Sequence, residues 1–401
     1  MQQVATSWLI YDLTNSPFLV GLSGVFLSVP FIVMSLYAGT IVDRVDRKKL
    51  LMWAQTADLV NTFLLGLLIA SGNIQVWHLY ASSVASSLFG AFQNPAQQAI
   101  LPYLVPRSDL VAAISLNSIL RKGTQIIGPS LGGISVATIG VANTFFIRCV
   151  AYLILLVCLG AISATNPSAE RGRDQDPLSA MIEGFRYVRA EPVMGGILLM
   201  EALFSLFGSY YTMLVIFARD IFALGPEGLG FLQSAAGLGT IAGSLTLSAM
   251  GNVPYMGRLM IGAAMTYGAS VIALAYCPWF LLALPILFVA GAAEMTMGAL
   301  RTTILQLTSR RELLGRVMSL QAICSRGLGP LGSFELGAVA ELVGVRASVA
   351  LGAGICMLIA ATIAIRVPAI WQYTGASVDH RRDDRGRRDG TPLAAALSDR
   401  S

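Results

Sequence analysis

Three carboxylates sit where a carboxylate is expensive. Asp58 and Glu201 each lie about eight residues inside a long apolar run, and Glu294 lies comparably deep in another. An ionisable group among hydrocarbon side chains is retained when it does work, and low dielectric disfavours its charged form. Such a group can take up and release a proton, which makes Glu201 the first candidate for proton coupling, with Asp58 and Glu294 behind it. The alternative is a hydrogen-bonded structural acid, or one that faces a wet cavity without titrating.

Cations are also embedded. Arg121, Lys122 and Arg326 lie deep enough to need partners, although long side chains near a boundary can reach the interface. Lys122 and Arg326 either face one another across a central cavity and attract an anionic substrate, or pair with internal acids, the electrostatically cheaper arrangement. Trp8, Tyr11, Phe204, Phe207, Tyr210 and Tyr211 could wall a planar or lipophilic ligand, or anchor helix ends at the membrane interface.

Enzymatic chemistry has no foothold. No nucleophile and base, phosphate loop or metal cluster occurs at a suitable spacing. Cys149, Cys158, Cys277, Cys324 and Cys356 fall in apolar segments with no CxxC spacing and read as small core residues, so neither a metal nor a cofactor is expected. His78 belongs to a short outer loop and His380 to the tail.

The elements that position these residues follow from composition. The chain has 401 residues, 55% hydrophobic and 12% charged, with a mean hydropathy of +0.69. Soluble domains carry about a quarter charged residues, so a water-soluble globule is excluded. Long apolar runs cover 18–42, 50–71, 76–94, 111–136, 142–164, 193–217, 228–250, 258–277, 279–299, 316–340 and 345–366. An apolar stub, Val4 to Leu13, could cross only half a bilayer. It is expected to be the end of a first span whose beginning lies upstream of the chain as given.

The net charge of +5 does not indicate nucleic acid, because the basic residues are confined to short connectors and one tail. Alternate connectors are basic. One set holds Arg44, Arg47, Lys48 and Lys49, then Arg107, then Arg171, Arg173, Arg186 and Arg189, then Arg258, then Arg301, Arg310, Arg311 and Arg316; the opposite set holds only Arg148, Arg219 and Arg346. Lys and Arg accumulate on the cytoplasmic side, which places the C-terminus there.

Four regions are expected: a first helix bundle at 1–164, a linker at 165–192, a second bundle at 193–367 and a disordered cytoplasmic tail at 368–401. Met181, Ile182, Phe185 and Val188 share one face of the linker, which can therefore lie along the membrane surface. A shift of 204 residues places Ile100, Leu101, Arg107, Leu110, Ser115, Leu116, Ile119 and Gly123 on Ile304, Leu305, Arg311, Leu314, Ser319, Leu320, Ile323 and Gly327. Parallel repeats of six helices with a substrate site near the midplane are one architecture of secondary transporters.

Two local motifs sharpen this. The stretch Gly39 to Lys49, GTIVDRVDRKK, lies between the second and third spans. Gly39 removes a side chain where helices approach; Asp43 places a carboxylate where it can complement the N-terminus of a neighbouring helix; Arg44 and Arg47 face water and lipid headgroups. In the fifth span, Pro129 removes a backbone donor and bends the helix, while Gly128, Gly132 and Gly133 let a partner helix close against the bend.

The first motif resembles the cytoplasmic signature of the major facilitator superfamily. More narrowly, WLIYDLTNSP, NPAQQAILPYLVP, LNSILRKGTQIIGPSLGG and ARDIFALGPEGLGFLQSAAGLG are similar to the bacterial drug and siderophore exporters of the enterobactin-exporter and macrolide-efflux type, over most of residues 1–367. The resemblance implies an all-α membrane protein of two six-helix bundles. It implies that Asp43 docks near Gly315 and Arg316 and locks the outward-facing state. The fifth-span glycines resemble the tail of the antiporter motif, although Thr124 stands where a glycine would fall, and the embedded arginine of the fourth span in many facilitator antiporters is missing between Ser86 and Gln98.

The chain is therefore expected to be a monomeric, multi-pass protein of the inner cell membrane that exports a small amphipathic molecule by proton antiport and alternating access. Its partners would be that molecule, protons and the lipid bilayer. A proton-coupled importer, or a facilitator fold that no longer transports because its first helix is incomplete, are the alternatives.

Overall fold

The computed structural model describes residues 2–100, 104, 106, 110–161, 177–251, 253–309 and 313–373; the side chains of 36–44, 94–95, 98–99, 110–115, 118–119, 121–122, 125–127, 129–130, 177–182 and 326 lie outside that description. Every regular element within it is helical. A backbone surrounded by lipid must satisfy its own hydrogen bonds, and a helix does so within one segment.

The first bundle comprises α1 (Gln2–Thr14), α2 (Pro17–Arg44), α3 (Arg47–Ala70), α4 (Val76–Ile100) and α5 (Leu110–Ala161). Prolines start several helices, since their missing N–H costs nothing in a first turn. Asp46 caps α3 by accepting from the backbone N–H groups of Lys48 (2.9 Å) and Lys49 (3.1 Å). The long α5 is two helices joined at Gly140 (φ 84, ψ 167), so it supplies both the fifth and the sixth expected spans. The linker helix α6 (Pro177–Ala190) follows the undescribed residues 162–176.

The second bundle is built from α7 (Pro192–Phe207), α8 (Leu214–Ile216), α9 (Pro226–Ala249), α10 (Met256–Tyr276), α11 (Phe280–Thr308), α12 (Leu314–Ala322), α13 (Leu328–Val343) and α14 (Val345–Arg366), with α15 (Pro368–Trp371) closing the described chain. Two of the expected spans are broken. The seventh ends as α7 at Gly208, passes through a 3-10 turn (Tyr210–Met213) and α8, and finishes in a π turn (Phe217–Ile221). The eleventh is α12, a π turn (Ile323–Gly327) and α13.

Seven of the described helical stretches are long and apolar enough to cross a bilayer. Others carry polar residues turned to neighbouring helices, as in α4, where Ser86 bonds Asp58 and Ser87 bonds the carbonyl of Leu27. With α5 counted as two helices and each broken span as one, the described residues hold twelve bundle helices, α1 among them. The expected two-bundle architecture is present.

The bundles meet where side chains vanish. A Cβ on Gly24 would lie 1.9 Å from the carbonyl oxygen of Pro330, one on Gly21 would lie 2.4 Å from that of Ser333, and one on Gly337 would lie 2.6 Å from that of Pro17. These contacts seat α2 against α13. Gly133 of α5 approaches Gly230 of α9 in the same way, 2.4 Å from its Cα. Gly128 faces open space and α5 runs helically through Pro129 to break at Gly140, while Gly133 makes a close helix approach of the kind expected of the motif.

A polar cluster adds to this seam. The hydroxyl of Tyr11 donates to Asp220; Arg219 donates to the carbonyl of Tyr11 (3.1 Å), lies 3.6 Å from Asp12 and stacks 5.3 Å from the Tyr11 ring centroid. Glu341 of α13 accepts from Ser16 (3.2 Å) and from the N–H of Phe18 (3.4 Å). Tyr11, Ser16, Gly24, Gly133, Gly230 and Gly337 all lie towards the end of the molecule that carries the arginine-poor connectors.

Two arginines expected in connectors are inside the bundles. Arg301 belongs to α11, which runs on to Thr308 beyond the end of its apolar run, so the residue is buried. Arg148 lies two turns past Gly140 and pairs with Asp58. Likewise residues 368–373, expected in the tail, are ordered: Ile370 and Tyr373 are buried, and the Gly257 N–H reaches the Tyr373 carbonyl at 3.4 Å. Residues 374–401 lie outside the described ones.

Candidate functional site

A cavity of about 870 Å³ opens among α7, α9, α11 and the π turn before α13. Glu201, Glu294, Phe204 and Tyr211, four of the residues singled out in the sequence, line it together. Tyr210 does not: it is 2% exposed and packed against Tyr211 and Tyr267. The cavity reaches Gln306, close to the arginine-rich end of α11, whereas the bundles are sealed at the opposite end.

Glu201 is 2% exposed, and its carboxylate forms an ion pair with the guanidinium of Arg301. The side chain of Gln321 hydrogen-bonds the same carboxylate, and its amide also donates to Thr302 at 2.9 Å. Three helices thus converge on one buried acid. A buried ion pair contributes little net stability, but removal of either partner strands a charge and costs roughly 3–5 kcal/mol.

Arg301 was missed in the sequence because it lies near the end of an apolar run. The signal that finds it is helical register: Glu294, Gly298 and Arg301 are spaced i, i+4, i+7 and share one face of α11. By the repeat, Arg301 corresponds to Gln97 in α4, so the arginine that the fourth span lacks is present at the matching position of the second half.

Glu294 has a different setting. It stands at the midpoint of α11, faces the cavity with its side chain exposed, and makes no hydrogen bond or ion pair with the described residues. Tyr210, Tyr211 and Tyr267 lie within electrostatic reach of its charge.

Asp58 sits elsewhere, inside the first bundle and 3% exposed. Its carboxylate accepts from Arg148 (3.2 Å), Tyr152 (2.5 Å) and Ser86 (2.7 Å), and Asn61 extends the network to Ser86 at 3.0 Å. These bonds tie α3, α4 and α5 together, away from the cavity. Glu335 of α13 escaped notice in the sequence; its Oε2 is buried without a hydrogen-bond partner, and it does not line the cavity.

The remaining candidates divide. The side chains of Gly39, Asp43, Arg44, Lys122, Pro129 and Arg326 lie outside the described ones, although their backbones are helical. Arg47 opens α3 beside the Asp46 cap. Arg316, the expected neighbour of Asp43, forms an ion pair with Glu183 of α6 at 2.5 Å, which binds the linker helix to α12.

Comparisons with known proteins identify the family and the fold. Residues 1–383 match the family described as transmembrane secretion effector. The chain is 26% identical over 317 residues to the enterobactin exporter EntS of Shigella boydii, covering 79% of this chain and 76% of that protein. It is 24% identical over 386 residues to the multidrug efflux pump Tap of Mycolicibacterium fortuitum, covering 93% of each. Among solved structures, the nucleoside transporter NupG superposes with a TM-score of 0.71 at 15% identity, over 93% of this chain and 97% of that one. A bacterial homologue of the lysosomal transporter Spinster, in an inward-facing and unoccupied conformation, gives 0.68 at 16% identity, over 92% and 94%.

Proposed function

The chain belongs to the transmembrane secretion effector family of major facilitator transporters, and from that premise we propose that it exports a small amphipathic molecule across the inner cell membrane by proton antiport. It is a multi-pass membrane transporter whose named relatives are exporters. Export, the proton and the sidedness are the steps taken beyond that.

The observation that carries the reading is the Glu201–Arg301 pair in the wall of the cavity. A carboxylate held by a cation can be neutralised by a proton, which frees the cation and changes the charge of the site without moving the backbone. Glu201 is thereby the proton-binding group and Arg301 its counter-ion. Protonation of Glu201 and occupancy of the cavity are then coupled through the charge left on Arg301, as antiport needs.

Sidedness rests on arginine distribution. With Arg148 assigned to the interior, only Arg219 and Arg346 remain at the sealed end from the original set. Lys and Arg mark the cytoplasmic side, so the cavity faces the cytoplasm in this state and the C-terminus lies there too. The bundles, 1–164 and 193–367, rock about the seam as a monomer, with Asp43 and the connector after it closing the cytoplasmic side in the opposite state.

Everted membrane vesicles test this. An imposed pH gradient, acid inside, should drive accumulation of a transported drug, and Glu201→Gln should abolish that dependence while leaving exchange of substrate for substrate. Accumulation indifferent to the gradient, or driven in the reverse direction, overturns the proposal.

A further inference from the structure

If the cavity is the transport site, as proposed above, its unsatisfied groups describe its ligand. Charge comes first. Glu201 is paired directly with Arg301, whereas Glu294, facing the same cavity, makes no hydrogen bond or ion pair among the described residues and feels the Arg301 charge only at a distance. Two helical turns, about 10 Å, separate Glu294 from Arg301, too far for a direct contact. A carboxylate at the middle of a 29-residue helix costs free energy unless something positive visits it.

Hydrogen-bonding capacity points the same way. Gln233 also lines the cavity, is 5% exposed, and its Oε1 is buried without a donor. Glu294, when ionised, is an acceptor only, and Gln233 adds an unpaired Oε1 to the amide donors beside it. A buried acceptor left unpaired costs about 1–3 kcal/mol, which a ligand bearing N–H groups recovers. The walls supply the remainder: Phe204, Tyr211 and Tyr267 offer ring faces and Met295 a polarisable thioether. Such surfaces favour cations and the apolar body that carries them.

We propose that the substrate is an amphipathic cation with N–H donors, a protonated amine on a lipophilic or aromatic body, and that Glu294 receives its charge. Glu201 and Glu294 then divide the work. The first is held by Arg301 and carries the proton; the second, without a direct partner among the described residues, selects the cargo.

Purified full-length protein in nanodiscs should be titrated with dansylcadaverine, an environment-sensitive fluorescent amine, and with its N-acetyl, trimethylammonium and carboxylate analogues. The amine should bind at least about tenfold more tightly than the neutral N-acetyl compound, the worth of one charge-assisted hydrogen bond. The trimethylammonium compound, whose charged group bears no donors, should fall between them. Glu294→Gln should erase the preference, bringing the amine to the affinity of the neutral compound, and an unchanged melting temperature of the variant in nanodiscs reports that it is folded. Equal binding of amine and N-acetyl compound by the wild type, an undiminished preference in Glu294→Gln, or tightest binding of the carboxylate would each overturn the proposal. Selective binding without expulsion of the amine from cells would instead defeat the export reading and leave this one standing.

Discussion

Gly140 and Gly344, 204 residues apart, hold the same backbone conformation, with φ 84 and ψ 167 at the first and φ 86 and ψ 153 at the second. The shift is the one that relates the two halves of the sequence. Each glycine joins the last two helices of its bundle, in a region of backbone space that side chains with a Cβ scarcely enter.

Replacing either with alanine should therefore destabilise its own bundle by about 1–3 kcal/mol, since neither position has a steric neighbour to add to the backbone cost. Thermal unfolding of Gly140→Ala and Gly344→Ala in detergent should show similar losses, and an unchanged midpoint in either would contradict the assignment.

The seam between α2 and α13 has no room for a methyl group at Gly24, where a Cβ would fall 1.9 Å from the Pro330 carbonyl oxygen. Gly24→Val should hold the bundles apart at the arginine-poor end and arrest turnover. In a background stripped of native cysteines, Thr302→Cys in the cavity wall should then label less readily from the arginine-rich side. Labelling identical to that of the parent would refute the role of the seam.

Tyr11 and Asp220 bond across the same seam. A hydrogen bond to a charged group contributes roughly 1.5–3 kcal/mol, so Tyr11→Phe should move the equilibrium between the two access states by about tenfold or more. The same cysteine reports it, and an unaltered labelling rate would count against a latch.

Arg301→Met should be far more damaging than the double variant Glu201→Gln with Arg301→Met, because the single change leaves a carboxylate buried beside an apolar side chain. A difference in unfolding free energy of about 3 kcal/mol is expected between them. Additive losses would mean that the pair is not energetically coupled.

Asp58→Ala should lower stability and leave substrate affinity unchanged, as its carboxylate bonds Arg148, Tyr152 and Ser86 and does not reach the cavity. Expression and melting report the first effect and fluorescence titration the second. Weakened binding at unchanged stability would place Asp58 in the transport path.

Much of the fold was legible because lipid imposes length and polarity on every span, and because the repeat survives in residues as ordinary as Leu110 and Leu314, which begin α5 and α12. Glu201 and Glu294 stood out as charges among hydrocarbon side chains. Arg301 and Arg148 did not, since an arginine near the end of an apolar run looks like a connector until the helix is known to continue. The breaks in the seventh and eleventh spans were hidden for another reason: a π turn costs one residue of register and leaves no compositional trace. Tyr11 and Asp220 are brought together by the packing of two bundles, which local pattern does not encode.

At Gly21, Gly24 and Gly337, α2 and α13 meet main chain against main chain. Parting such surfaces strips no ions and breaks no salt links, so ionic strength has little purchase on most of the closure. Sensitivity to dissolved salt is concentrated where Arg219 meets Asp12. The rocking of two whole bundles proposed above would thus be answerable to its surroundings through a few atoms at one rim.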